Sequence, residues 1–392
     1  MRFIEALADR SEVGKLSIGY REKFLNYESR GITQSGSMYN EPYSLGGLTG
    51  AGQIAGVADS GLDDLSCYFY DSNSVYAADT TTRQILTSSS FTESSLDIET
   101  NRRKVITYFY NSNTDKVDDM GGHGTHVVGS VLGKCEDNLL MNGMASEGKV
   151  AFFDIGMSDE GYLSLAPSYY SVYEAPYLAG ARIHSNSWGS NCEDLPCDLD
   201  YDYSCEVADE FMSDYPDMLL LFAAGNEGNY GQRSIGSPAL AKNSLAVGAM
   251  VTWLSDTSND YISQKTMSDF SSHGPTADNR YGIDIAAPGD YIMSASACDP
   301  STQLSAINSG DGEMQLRSAR PMSGTSMATP VTAGNLLLIR QFFEDSDFWA
   351  NVCNPNDSQC EEFNPSASLV KATLLHSGSQ VDRYAQPGHT TS

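Results

Sequence analysis

Short apolar runs alternate along this chain with stretches of helical periodicity, and that alternation limits the fold more than any other feature. The runs at 53–58, 148–155, 183–187, 218–223 and 244–249 read as strands; 123–132, 170–180, 326–343 and 369–377 read as helices. Strand–helix alternation of this kind predicts an α/β fold, a doubly wound parallel sheet with helices on both faces. In such sheets functional groups gather at the carboxyl ends of strands and the amino ends of helices. At 392 residues the chain can bury one large core, or one core with a small appendage.

Three sequence blocks put chemistry at those places. Val57-Ala58-Asp59-Ser60-Gly61 ends a strand on an aspartate. Gly122-His123-Gly124-Thr125-His126 opens a helix on a histidine, and Gly324-Thr325-Ser326-Met327-Ala328-Thr329-Pro330 opens another on a serine. A serine hydroxyl is a poor nucleophile near neutral pH; it needs a base in reach and a third group to orient that base. Asp59, His123 and Ser326 supply a charge, a base and a nucleophile. Each has a plainer reading. Serine is a common helix cap, and His123 and His126, three apart on one helix, could form a zinc pair, although the glutamate of the HExxH pattern is absent. Asp63 and Asp64 lie close to Asp59 but past the turn at Gly61. A fourth block, Ala223-Ala224-Gly225-Asn226-Glu227-Gly228, runs an apolar strand into a glycine-rich turn, where asparagine is favoured for backbone reasons alone.

Taken together, in the order Asp, His, Ser, these blocks resemble the subtilases, the subtilisin-like serine peptidases, over roughly residues 48–379. The segments 181–189 and 221–228 resemble the alkaline subtilases that carry a β-barrel after the catalytic domain. The resemblance implies a serine endopeptidase acting through an acyl-enzyme on Ser326. His123 would be the general base and acid, Asp59 its orienting group, and Asn226 an oxyanion donor beside the Ser326 N–H. It also implies a substrate-binding edge at Ser187, Trp188 and Gly189, with Gly225 beside it and Gly236 at a pocket floor. No cofactor is expected for the chemistry; structural Ca2+ is compatible with the family, with no ligands assigned. Expected partners are protein or peptide substrates, and the chain's own propeptide as inhibitor and chaperone.

On this reading residues 1–45 are a propeptide tail or N-terminal extension, 46–380 the peptidase domain, and 381–392 the start of a linker stopping short of any β-domain. Met1 would then be an internal position of a longer precursor, because the first residues form no signal peptide. A pseudopeptidase scaffold is argued against by the four occupied positions. An α/β-hydrolase esterase would need Gly-x-Ser-x-Gly and the order Ser, Asp, His. A peptide ligase on the same residues stays open, since acyl transfer to amine or water shares one intermediate.

A formal charge of -28 repels nucleic acid and favours solubility in salt. No apolar run approaches the length of a membrane span. Eight cysteines, several in expected surface loops, suggest disulfides and an extracellular or secretory compartment. Cys353 and Cys360 could close a small loop; Cys192, Cys197 and Cys205 share one segment; Cys67 and Cys135 are candidates for a link across the Asp and His blocks.

Overall fold

The computed structural model describes residues 25–37, 40–71, 83–88, 91–118, 121–136, 138–157, 162–190, 200–251, 266–299, 301–302, 319–352, 361–381 and 383–384. Cys192, Cys197, Cys353 and Cys360, residues 1–24 of the expected propeptide tail or extension and most of 381–392 lie outside them.

The strands are β1 (Ile54–Asp59), β2 (Arg83–Ile85), β3 (Val105–Tyr110), β4 (Lys149–Asp154), β5 (Ile183–Asn186), β6 (Leu219–Ala223), β7 (Leu245–Met250), β8 (Thr266–Met267), β9 (Ile285–Pro288), β10 (Ile292–Ala295), β11 (Ala319–Met322) and β12 (Arg383–Tyr384). The helices are α1 (Leu25–Ser35), α2 (Pro42–Leu45), α3 (His123–Leu132), α4 (Tyr169–Leu178), α5 (Tyr203–Asp214), α6 (Thr325–Glu344), α7 (Ser346–Val352) and α8 (Ala367–Ser377). The main sheet runs β12-β8-β7-β6-β5-β1-β4-β3-β2, with β9 pairing beside β7; β10 and β11 form a separate hairpin. From β2 through β7 the pairing is parallel, as the alternation predicts. β1 lies between β4 and β5, so the winding reverses at β1, where such sheets place their sites.

β6 is Leu-Leu-Leu-Phe-Ala and buried throughout, because helices cover the sheet on both faces. The spine of one layer is α6, whose Met327, Ala328, Val331, Leu336 and Leu337 are all buried. Several elements lie outside the sequence expectation, and for three of them, β3, α5 and α1, the structure gives a reason. β3 falls where no strand is expected, yet its Val-Ile-Thr-Tyr-Phe run is buried, with the Tyr108 hydroxyl donating to Asp154 at 2.8 Å. α5 starts on Asp202, whose carboxylate accepts from the Ser204 and Cys205 N–H groups. α1, expected in an extension, packs on the body: Asn26 Nδ2 donates to Met141 O at 3.1 Å, and Asn335 Nδ2 donates to Thr33 Oγ1 at 3.1 Å.

One buried charge is paired with backbone carbonyls. The Lys104 ammonium donates to the carbonyls of Leu132 (2.8 Å), Gly148 (3.0 Å) and Ser146, which uses all its protons and caps the carboxyl end of α3. Cys67 and Cys135 are joined as the sequence suggests, with Cα atoms 5.3 Å apart. Cys205 is instead a buried thiol in α5, 3.3 Å from Ser237 Oγ. Among the described residues no helix is long and apolar enough to cross a membrane.

His126 and His184 are bonded to backbone carbonyls. His126 Nε2 donates to Ile292 O (2.9 Å) and Arg320 O (3.1 Å), fastening the β10–β11 hairpin to α3; His184 Nε2 donates to Val172 O at 3.2 Å. Burial pulls both imidazoles from 6.5 down to about 3. Above pH 6.5 both are neutral, folded or unfolded. Below it the unfolded chain takes protons that the native state refuses, so stability falls with pH. Between about pH 7.5 and about pH 5, denaturant titration should show the parent losing about 2 kcal/mol more than a His184→Gln variant. Equal losses contradict this assignment.

Candidate active site

β1 delivers Asp59 to its carboxyl end with only 3% of the side chain exposed. Asp59 Oδ1 accepts from His123 Nδ1 at 2.7 Å and from the Ser60 N–H at 2.8 Å. A carboxylate oxygen only accepts, so Nδ1 carries the hydrogen and Nε2 keeps its lone pair. The imidazole is 29% exposed. Burial lowers its pKa, but the Asp59 charge and hydrogen bond raise it more, with a further push from Asp118; the net shift is upward. Asp63 and Asp64 turn elsewhere: Asp63 accepts from the Cys298 N–H at 3.0 Å, and Asp64 pairs with Arg83 at 2.8 Å.

The amino end of α3 is held by a second carboxylate. Asp118 accepts from Ser60 Oγ (2.8 Å) and from the Thr125 N–H (2.7 Å), while Ser60 Oγ accepts from the Gly124 N–H at 3.0 Å. These bonds satisfy helix donors that otherwise lack partners. Burial raises the Asp118 carboxyl to about 6; the Thr125 and Ser60 hydrogen bonds oppose that rise, and the Asp59 charge adds to it.

Ser326 begins α6, half-buried. Its hydroxyl donates to the Ser187 carbonyl at 3.0 Å, and no hydrogen bond joins it to His123. The two lie on neighbouring elements all the same: Ser187 follows Asn186, whose register partner on β1 is Ala58, immediately before Asp59. Asn226 is exposed at the end of the β6 turn. Its Oδ1 accepts from the Thr325 N–H (2.8 Å) and Thr325 Oγ1 (3.1 Å). A backbone N–H can only donate, which fixes the amide orientation and leaves Nδ2 facing the α6 end. Gly324, with φ +155°, lies there, and a Cβ on it would be 3.5 Å from Asn226 Nδ2 and 3.6 Å from the Ser326 N. Two N–H donors thus flank one small space.

Trp188 points inward. Its Nε1–H donates to Ala58 O at 3.0 Å and its ring meets Phe222 edge-on. Gly189 is exposed, and the segment from Ser187 continues past the last register pair of β5. The Gly225 N–H donates to Thr325 Oγ1 at 3.2 Å. Gly236 has a backbone reason: a Cβ there would lie 2.2 Å from the Ser190 carbonyl oxygen, so close chain approach rather than open space accounts for it. A cavity of about 590 Å³ farther along α6, lined also by α1, β9 and α8, shares no residue with this cluster. Among the described residues no group of three or more His, Cys, Asp or Glu gathers as a metal site.

The subtilase family matches residues 50–389. The chain belongs to the subtilase family of serine peptidases. Serine protease/ABC transporter B family protein tagD of Dictyostelium discoideum is 31% identical over 84% of this chain and 20% of its own length. Subtilisin Savinase of Lederbergia lenta is 28% identical over 66% of this chain and 76% of its own. The solved S41 Psychrophilic Protease shares the fold, with 22% identity and a TM-score of 0.50, covering 84% of this chain and 83% of that one. This subtilase spans about a fifth of the length of the first curated relatives it matches.

Sequence reasoning missed Thr325, Asp118 and Ser60, which hold the others in place. Thr325 stood beside the serine as part of its motif; Asp118 lies in a polar stretch with no local signature. The Asp59–His123 geometry has a direct readout. NMR titration should place the His123 imidazole above 6.5 in the parent and below it in Asp59→Asn, where the lowering by burial remains and its main opponent is gone. An unchanged midpoint contradicts the pairing.

Proposed function

We propose that this subtilase is a secreted serine endopeptidase that hydrolyses peptide bonds through an acyl-enzyme on Ser326. The observation that carries the reading is the 2.7 Å Asp59–His123 bond at the end of β1, beside the end of β5, where the Ser187 carbonyl accepts from the Ser326 hydroxyl. When substrate binds, the Ser326 side chain turns from the Ser187 carbonyl toward Nε2. As Oγ attacks the scissile carbonyl carbon, its proton passes to Nε2 and the carbonyl π electrons move to oxygen. Asn226 Nδ2 and the Ser326 N–H receive that oxyanion. Collapse breaks the C–N bond, and His123 gives its proton to the leaving amine. Water then attacks the acyl carbon and yields a proton to His123, which returns it to Ser326 as the C–Oγ bond breaks. Asp59 orients the imidazole and stabilises the imidazolium.

Substrate is taken as an extended segment beside Ser187, Trp188 and Gly189, with Gly225 near the reacting carbonyl. Backbone pairing there asks little of substrate side chains. The Cys67–Cys135 bond supports passage through an oxidising compartment. Calcium, if held, is a structural ion, and the propeptide inhibitor is a further part of this proposal.

A fluorophosphonate probe should label the purified protein on Ser326, and Ser326→Ala should abolish both labelling and hydrolysis of denatured protein. Asn226→Ala should lower kcat by roughly 10²–10³ with KM little changed, the magnitude being that of subtilisin itself. Full activity in either variant overturns the assignment.

A further inference from the structure

Ser187 and Ser326 are bonded to each other twice. The Ser326 hydroxyl donates to the Ser187 carbonyl at 3.0 Å, and the Ser187 hydroxyl donates to the Ser326 carbonyl at 2.9 Å. The second bond answers a deficit written in the sequence. In an α-helix the carbonyl of residue i accepts from the N–H of residue i+4. For Ser326 that residue is Pro330, which has no N–H. Nearby carbonyls of α6 receive hydroxyls from their own helix, Thr329 Oγ1 to Thr325 O (2.9 Å) and Thr332 Oγ1 to Ala328 O (3.0 Å). The carbonyl of Ser326 receives one from the sheet.

We propose that the Ser187 hydroxyl is a positioning group for Ser326, standing in for the helix donor that Pro330 removes. This rests on Ser326 being the nucleophile. The gain follows from where the donor comes from. A bond from residue 330 would hold Ser326 only to its own helix. A bond from Ser187 holds it to the end of β5, whose neighbour β1 carries Asp59 and, through it, His123. Nucleophile and base are thereby referred to the same pair of strands. Ser187, expected from the sequence to lie on the substrate-binding edge, then has a use for its side chain.

A double-mutant cycle on Ser187→Ala and Pro330→Ala tests this, read by kcat, KM, the rate of fluorophosphonate acylation, and thermal melting of each variant. Ser187→Ala should lower kcat and acylation roughly three- to tenfold, the worth of one neutral hydrogen bond, with KM little changed. Ser187→Thr, which keeps the hydroxyl, should restore the rate. Adding Pro330→Ala to Ser187→Ala supplies a backbone N–H and should recover part of the loss, whereas the same change in the parent should not raise the rate. Additive effects, or full kcat in Ser187→Ala, overturn the inference. If the alanine variant does not fold, Ser187→Cys, of similar shape with a weak donor, should show the same loss, and full activity there overturns it equally. A Ser326→Ala protein that still reacted would defeat the underlying nucleophile assignment; loss in Ser326→Ala with no effect at Ser187 would defeat this inference alone.

Discussion

The 2.7 Å bond between Asp59 Oδ1 and His123 Nδ1 is the interaction on which the rest of the site depends. It joins the end of the central strand β1 to the start of α3, and a parallel sheet brings those two places to one rim. The bond sets the tautomer, leaves Nε2 available, and outweighs the lowering of the imidazole pKa by burial. Its supports are equally local. Asp118 and Ser60 satisfy the first donors of α3, and the Trp188 indole holds Ala58, so neither end of the pair is free to shift.

α6 completes the arrangement from the opposite direction. Its amino end has an unusual division of hydrogen bonds: the Thr325 N–H goes to Asn226, while Ser326 exchanges bonds with Ser187. Thr325 therefore orients the amide that faces the small space beside Gly324. Through Asn226 this helix end is tied to the turn after β6, and through Ser187 to the end of β5. Three adjacent strands, β1, β5 and β6, thus contribute at the same level of the sheet. Rigid elements of this kind hold functional groups more precisely than loops do.

Much of this was legible in the residues. The strand ending on Asp59 and the helices opening on His123 and Ser326 are local signals, carried by apolar runs meeting glycine-rich turns. The Cys67–Cys135 pair was legible because each cysteine flanks one of those blocks. β3 was not, since its Thr107, Tyr108 and Tyr110 read as polar while the fold buries most of the strand and gives Tyr108 a carboxylate partner. α1 was hidden because its burial depends on Met141 and Asn335, far away in the chain. Gly236 shows the same limit. A glycine before Ser237-Pro238 suits an open pocket on paper, whereas the Ser190 carbonyl against its Cα is visible only in three dimensions. Asp118 and Thr325 act on backbone N–H groups of other segments, and sequence patterns do not register such contacts.

The most direct measurement is a crystal structure of this subtilase with a peptide boronic acid, which forms a tetrahedral adduct on an activated serine. The account requires boron on Ser326 Oγ, the hydroxyl released from the Ser187 carbonyl, and one boronate oxygen within hydrogen-bond distance of both Asn226 Nδ2 and the Ser326 N. Boron bound to another residue, or an adduct whose oxygens all face solvent away from Asn226, would contradict it.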